Sequence, residues 1–336
     1  MAVDLVIFLG TMAIYYGVYL ILALSLNLEY GFAGQPDFGK VFFFSIGAYA
    51  SGMVVAELLS YVGSIPGDIF SPAAATLRGE YAMSNPVGMG LVFVVAIVVS
   101  MVVGGIFGYL ASYPAIRLRA DYLAITLLLT AVISMNFVLS TPSIAGGANG
   151  LGGIPNPFSW LGNGHLIVIS YAVLVLGIGF FLFWLLERAV NSPYGRLLKS
   201  IRDDEAVAKS FGKITPRRKA QVLVIASAIA ALSGALYTFF INYEYAGSFT
   251  FVWTANAWIM IVLGGVGNNR GALLGAFILA FLDSTTSLAV ALVNVPSFEI
   301  SYGRNLVVAV VLILMLVFRP KGIIPEKPLR IPFQED

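Results

Sequence analysis

The chain contains no cysteine among its 336 residues. That excludes disulfides, thiol catalysis and cysteine-ligated metals. It contains a single histidine, His165, which cannot make a histidine-based metal site alone and reads as an interfacial loop residue. No Asp/Glu/His set has metal-ligand spacing, and no Ser-His-Asp arrangement is visible. Charge is scarce, at 11% of residues, where soluble domains carry about 25%. The net charge of +2 is too small to argue for a nucleic-acid partner. A phosphate loop of the form G-x-x-x-x-G-K-[ST] is also missing. The glycine clusters at 146–150 and 264–267 lack its lysine and the strand that precedes it. If ATP drives this protein, a partner hydrolyses it.

What is present is apolar. Hydrophobic residues make up 59% of the chain, with 35 glycines, 24 phenylalanines, 16 tyrosines and 4 tryptophans. Glycine at that level suits close helix packing inside a bilayer. A span needs about 20 apolar residues. The apolar runs predict spans near 5–24, 32–59, 87–112, 122–139, 166–186, 221–241, 251–263, 272–292 and 306–318. The fold class expected is therefore an all-α polytopic membrane protein with about nine (eight to ten) transmembrane helices. The seventh run is short, so a tilted, broken or re-entrant segment is expected there. Asp4, rather than a basic region, precedes the first run, which reads as a membrane span and not a signal peptide. No linker to a soluble domain is visible, and 1–336 reads as one membrane domain.

The longest polar interruption lies at 189–219. From 188 to 219 it holds nine cations: Arg188, Arg196, Lys199, Arg202, Lys209, Lys213, Arg217, Arg218 and Lys219. Only Asp203, Asp204 and Glu205 oppose them inside it. Such a short basic loop belongs on the cytoplasmic side. Alternation then puts Arg117, Arg119, Arg270 and the tail (Arg319, Lys321, Lys327, Arg330) inside. Asp68, Arg78, Glu80, Glu244 and Glu299 fall outside, with the N-terminus. The first inner loop carries only Glu29, and Arg304 is placed to pair with Glu299. The uncharged outer loop 141–164 can lie across the mouth of a pathway. Within the basic loop, 194–201 reads as one short helix. Asp203 or Asp204 caps a second over 205–211, ended by Gly212. Ala206, Ala208, Phe211 and Gly212 form a small-residue surface suited to docking. Thr215-Pro216 is expected to break the chain before the next span.

The order Glu205-Ala206-Val207, with Gly212 seven residues after Glu205, resembles the EAA loop of ABC-importer permeases. Val207 stands where many relatives have alanine. Further stretches extend the likeness: LSLNLEYGFAGQPDFG at 24–39, RLRADYLAI at 117–125, GGANGL at 146–151 and YGRLLKSIRDDE at 194–205. SFTF at 248–251, LGGVGN at 263–268 and FRPKG at 318–322 complete it. In order and spacing the chain resembles the LivM-type permeases of branched-chain amino acid ABC importers. The outer stretch 61–83 departs from that pattern.

The resemblance implies a transport subunit and not an enzyme. It implies alternating access driven by cytoplasmic ABC ATPase subunits, with ATP-Mg bound by those partners and no cofactor in this chain. Arg202, Asp203, Asp204, Glu205, Ala206 and Gly212 would form the coupling loop. It further implies a second related permease in a heterodimer, an extracytoplasmic substrate-binding protein, and a prokaryotic cytoplasmic membrane. The solute expected is leucine, isoleucine or valine. A permease for urea or short amides is the nearest alternative, and a secondary transporter without an ATPase a more distant one. A membrane-embedded enzyme would need clustered histidines or carboxylates, which the sequence lacks.

Polar groups at membrane depth mark pathway candidates by default. They are Gln35, Asp37, Asn136 and Asp283. Asp37 and Lys40 stand three apart and can pair. Asp283, beside Ser284, Thr285, Thr286 and Ser287, equally suits a helix-interface carboxylate, and Asn136 suits an interhelical hydrogen bond. Gly264, Gly265 and Gly267 are hinge candidates, with plain helix packing the alternative. Gly104 and Gly108 form a G-x-x-x-G packing step.

Overall fold

The computed structural model describes residues 4–293, 310, 313, 317–319 and 321–326. The expected last span at 306–318 falls mostly outside them, as do Glu299, Arg304, Lys327 and Arg330. Eleven α-helices run in order along the described chain. α1 covers Leu5–Leu26 and continues as a π-helical turn, Asn27–Phe32. After it come α2 (Lys40–Val62), α3 (Pro72–Ser84), α4 (Pro86–Arg117), α5 (Ala120–Ser140) and α6 (Gly164–Asn191). The basic loop forms α7 (Pro193–Asp203) and α8 (Glu205–Ser210). α9 (Thr215–Ile241), α10 (Phe251–Gly264) and α11 (Asn269–Val293) complete the set. Among the described residues, seven segments are helical, long and apolar enough to cross a membrane. α11, of 25 residues, follows them.

α9 is the central helix. Of its most apolar window 78% is buried, against 28% for α4, α5 and α6. It packs on α4, α2 and α1 through small residues. Gly104 lies against Ala231, and Gly108 against Ser227, so closely that an added Cβ at either would collide. The G-x-x-x-G step is thus a packing step, as the sequence suggested. α4 and α5 turn aliphatic side chains outward: Val94, Val98, Val102, Ile125 and Leu129 are all exposed. Exposed apolar belts of this length suit a hydrocarbon surround.

Three boundaries differ from expectation. The second span starts at Lys40 and not at 32, because the segment between α1 and α2 is irregular. Gly34 takes φ +68°, and Pro36 lacks the N–H a helix needs. Thr215-Pro216 begins α9 instead of breaking the chain, with proline in the first turn where its missing N–H is harmless. The outer stretch 61–83 contains a helix, α3. Ser71 caps it by accepting from Ala74 N at 3.2 Å, and Pro72 opens it. Buried Arg78 then donates to the carbonyls of Ile69, Gly152 and Gly153, fixing α3 to the outer loop.

The seventh span is short and unbroken, with irregular backbone before it. Residues 243–244 pair antiparallel with 151–152, and a 3-10 turn follows before α10 begins. α10 has 14 residues, about 21 Å at 1.5 Å per residue, and reaches spanning length only with the 3-10 turn before it, as the 19-residue segment Ala246–Gly264. Non-helical backbone at such depth is tolerated when protein surrounds it. Here Glu244 is fully buried, packed on Gly52 midway along α2.

The ends of the bundle are marked by polar contacts. At one end His165 Nε2 meets Asp4 Oδ2 at 2.7 Å, joining the start of α6 to the start of α1. At the other, Arg202 donates to the carbonyl of Gly31. The basic loop therefore shares a face with the end of the first span, as expected from alternation of the spans.

Candidate coupling loop and inner polar cluster

The loop is rigid because each of its turns is capped. Ser192 accepts from Tyr194 N at 3.2 Å and Pro193 opens α7. Leu198 and Ile201 bury one side of α7, which leaves Arg196 exposed and Lys199 and Arg202 partly buried. Asp204, not Asp203, caps α8, accepting from Ala206 N at 2.8 Å and Val207 N at 3.0 Å. Gly212 ends it with φ +73°, a conformation that favours glycine. The exposed face differs from the small-residue surface expected. Ala206, Phe211 and Gly212 are exposed as expected, but Ala208 turns inward, and the large apolar side chains left exposed are Val207, Phe211 and Ile214. Phe211 is 77% exposed, with Val207 and Ile214 exposed beside it on the same loop.

Glu205 ties α8 to α9. Its Oε1 accepts from Thr215 Oγ1 at 2.9 Å and pairs with Lys209 Nζ at 3.0 Å; its Oε2 pairs with Lys219 Nζ. Burial raises the carboxyl's pKa, but the hydrogen bonds from Lys219, Lys209 and Thr215 outweigh it and hold the pKa down to about 2. A depressed folded pKa gives stability that is present above the unfolded value of 4.5 and lost as pH falls toward 2. The α8–α9 contact is therefore expected to loosen between those two values. Amide exchange at 205–215, followed from neutral to acid pH, should accelerate in that window in the native chain and show no such step in Glu205→Gln.

Arg202 joins this loop to two other elements, the π-helical turn and the tail. Its Nη1 donates to Gly31 O at 2.5 Å and to Glu326 Oε2 at 2.8 Å, and its Nε to Asp203 Oδ1 at 3.0 Å. Lys199 holds the other Glu326 oxygen at 2.7 Å. The tail at 321–326 thereby clamps onto α7. Beside the clamp, Asn27 Oδ1 accepts from Gly267 N at 2.9 Å, and Asn27 Nδ2 donates to Asn269 at 3.0 Å. Asn269 Nδ2 in turn donates to Glu187 of α6 at 3.3 Å. The 265–268 break sits inside this network. Gly265 and Gly267 take φ of +126° and +77°, while Gly264 packs against the backbone of Gly271. Packing thus explains Gly264, and backbone conformation explains Gly265 and Gly267.

The pathway candidates do not all converge. Gln35 and Asp37 lie together in the irregular segment before α2, both buried. Asp37 Oδ2 is 3.6 Å from Lys40 Nζ, the pair the sequence suggested, and Asp37 Oδ1 accepts from Gly39 N at 2.8 Å. A third member was not anticipated: Glu29 Oε2 lies 2.7 Å from Lys40 Nζ. All three are at most 1% exposed. Sequence spacing placed Glu29 in a loop; the π-helical turn carries it inward. Asp283 on α11 accepts from Tyr19 OH at 2.5 Å. Tyr19 lies ten residues before Glu29, about 15 Å further along α1. Asn136 is exposed on α5 and donates to Val132 O of its own helix at 2.8 Å, so it crosses to no other helix.

Among the described residues no three His, Cys, Asp or Glu side chains are grouped to hold a metal ion. The family model for "Branched-chain amino acid transport system / permease component" matches residues 8–318. The chain belongs to this permease family. The permease is 32% identical to the probable branched-chain amino acid transport permease protein LivM of Methanocaldococcus jannaschii, over 99% of this chain and 96% of the relative. It is 27% identical to the Escherichia coli K12 high-affinity branched-chain amino acid permease protein LivM, over 92% of this chain and 68% of the relative. Its identity to LivH of the same organism is 25%, covering 91% of each. No solved structure matches the permease. It is a multi-pass membrane protein and a component of a transport system, not itself an enzyme.

Proposed function

We propose that this permease is one membrane subunit of an ATP-driven importer for leucine, isoleucine and valine in a prokaryotic cytoplasmic membrane. The observation that carries the reading is the family match across 8–318, with LivM relatives over nearly the whole chain. The partners follow from it: cytoplasmic ABC ATPases that bind ATP-Mg, a second LivH-like permease, and an extracytoplasmic binding protein that delivers solute. The ATPase engages Val207, Phe211 and Ile214, the apolar residues exposed on the braced loop. Arg202, Asp203, Asp204, Glu205, Ala206 and Gly212 hold that surface in shape. Closure of the ATPase pair moves the loop, and the Arg202–Gly31 and Arg202–Glu326 contacts pass the movement to α1 and the tail. Gly265 and Gly267 are the hinge in this scheme, since their positive φ lets the α10–α11 connection turn sharply. Gln35, Asp37 and Asp283 supply the few polar points along an otherwise apolar path.

The test is uptake in proteoliposomes carrying this permease, its second permease, the ATPases and the binding protein. ATP-dependent uptake of labelled leucine is expected, with labelled urea excluded. Urea uptake without leucine uptake would overturn the solute and leave the importer architecture standing.

A further inference from the structure

At the inner end, the α10–α11 break and the tail enclose a cavity of about 450 Å³. That volume lies within the range of small-molecule sites, roughly 300–1,000 Å³. One wall is aromatic. The rings of Tyr30 and Trp258 have centroids 4.6 Å apart. Phe38 stacks on Trp258 at 4.8 Å, and the indole Nε1 donates to Asp37 O at 2.9 Å, so Trp258 is fixed in place. Val262 and Val266 extend the wall with aliphatic surface, and Pro325 faces it from the tail.

The other end is polar. Lys321 lines the cavity, is exposed, and has no ion-pair partner among the described residues. Glu326 also lines it, but Lys199 and Arg202 already occupy its two oxygens. The charges gathered there are Lys199, Arg202 and Lys321 against Glu326 and Asp203, a net positive site. A carboxylate entering the cavity meets the Lys321 ammonium. An ammonium beside it meets the aromatic wall of Tyr30 and Trp258, and aromatic rings attract cations. A branched aliphatic side chain fits Val262, Val266 and Pro325.

We propose that this pocket binds a branched-chain amino acid from the cytoplasmic side, and that occupancy slows import when product accumulates. The proposal rests on the solute class argued above. The route to transport is short. Ile323 N and Ile324 N of the tail donate to the carbonyls of Leu263 and Gly264 at 3.0 and 2.8 Å. A ligand spanning Val262, Val266 and Lys321 adds a second tie across the same joint. Glu326 carries that tie to Arg202 in the coupling loop. The joint that must turn during transport is then held closed.

The test uses the assembled transporter in proteoliposomes, with its ATPase side facing the bath and leucine-loaded binding protein in the lumen. ATP hydrolysis is followed as leucine is added to the bath. A severalfold fall is expected. Lys321→Gln should shift the response to roughly tenfold higher leucine, the value of one hydrogen bond to a charged group. Leucinamide, which lacks the carboxylate, should not inhibit, and the oxo-acid analogue of leucine should inhibit more weakly than leucine. Val266→Trp, which fills the cavity, should abolish the response without touching Lys321.

An assembly that imports leucine but ignores bath leucine overturns the pocket alone. So does inhibition that Lys321→Gln and Val266→Trp leave unchanged. Protection of Val266→Cys from maleimide in the leucine-free assembly would mean that a partner subunit fills the cavity, and also overturns it. An assembly that never imports leucine defeats the solute reading instead.

Discussion

Lys40→Met is expected to destabilise the permease by about 3–5 kcal/mol, because removing one partner of a buried ion pair leaves uncompensated charge. Lys40 is the only cation against Glu29 and Asp37 within this buried group, at 2.7 and 3.6 Å. Each carboxylate has one oxygen, Glu29 Oε1 and Asp37 Oδ2, without a hydrogen bond among the described residues. Neither can turn to water, since both are at most 1% exposed. The group also closes the irregular segment between α1 and α2, so its loss should free that segment. Thermal unfolding in detergent, read by intrinsic fluorescence and by monodispersity, checks this. The triple variant Glu29→Gln, Asp37→Asn, Lys40→Met removes all three charges and should recover much of the loss. If Lys40→Met melts with the native chain, the group is not held as an ion pair.

Phe211→Asp and Gly212→Trp are expected to leave the chain folded and inserted while abolishing ATP-driven uptake. Phe211 is 77% exposed, and nothing among the described residues lies within 4 Å of a Cβ built on Gly212. The folded permease therefore loses little packing by either change. The strain of a positive φ at position 212 costs only about 1 kcal/mol or somewhat more. The damage falls on the partner: a charge or an indole enters a cleft shaped for an apolar loop. Loss of one central interface anchor typically costs about 2 kcal/mol or more, roughly 30-fold in affinity. Co-purification of the ATPase with tagged permease should fall by at least that factor, and uptake with it. Glu205→Lys should act differently. It sets a third cation beside Lys209 and Lys219 and unpins α8 from α9, so the ATPase stays bound more weakly and hydrolysis no longer drives uptake. Normal transport by all three variants would remove the loop from the coupling route.

The coupling loop was legible in the sequence because its signals are local. A cap acts within three residues, and a helix-ending glycine needs only its own backbone freedom. Asp204, α8 and Gly212 therefore fell where spacing put them. The boundary at Thr215-Pro216 was misread for a local reason too, since proline suits both a break and a first helical turn. Glu29 and Glu244 were not legible. Each sits in a short polar stretch between apolar runs, and a count of charges assigns such stretches to loops.

By itself the sequence determined the solvent of this chain and its class. Long apolar runs act through transfer free energies that depend on composition alone. The sequence also determined the family, since motifs in a fixed order leave their trace without a fold. Only the tertiary structure decided which polar groups are buried together. It brought Glu29 to Lys40 through a π-helical turn, Arg202 to Gly31 across 171 residues, and Glu326 to Lys199 and Arg202 from the far end of the chain. It also turned Asn136 outward onto its own helix. The physical reason is that a charge in an apolar surround is stable only beside its partner. That partner is chosen by which helices pack together, and periodicity along one helix does not encode its neighbours.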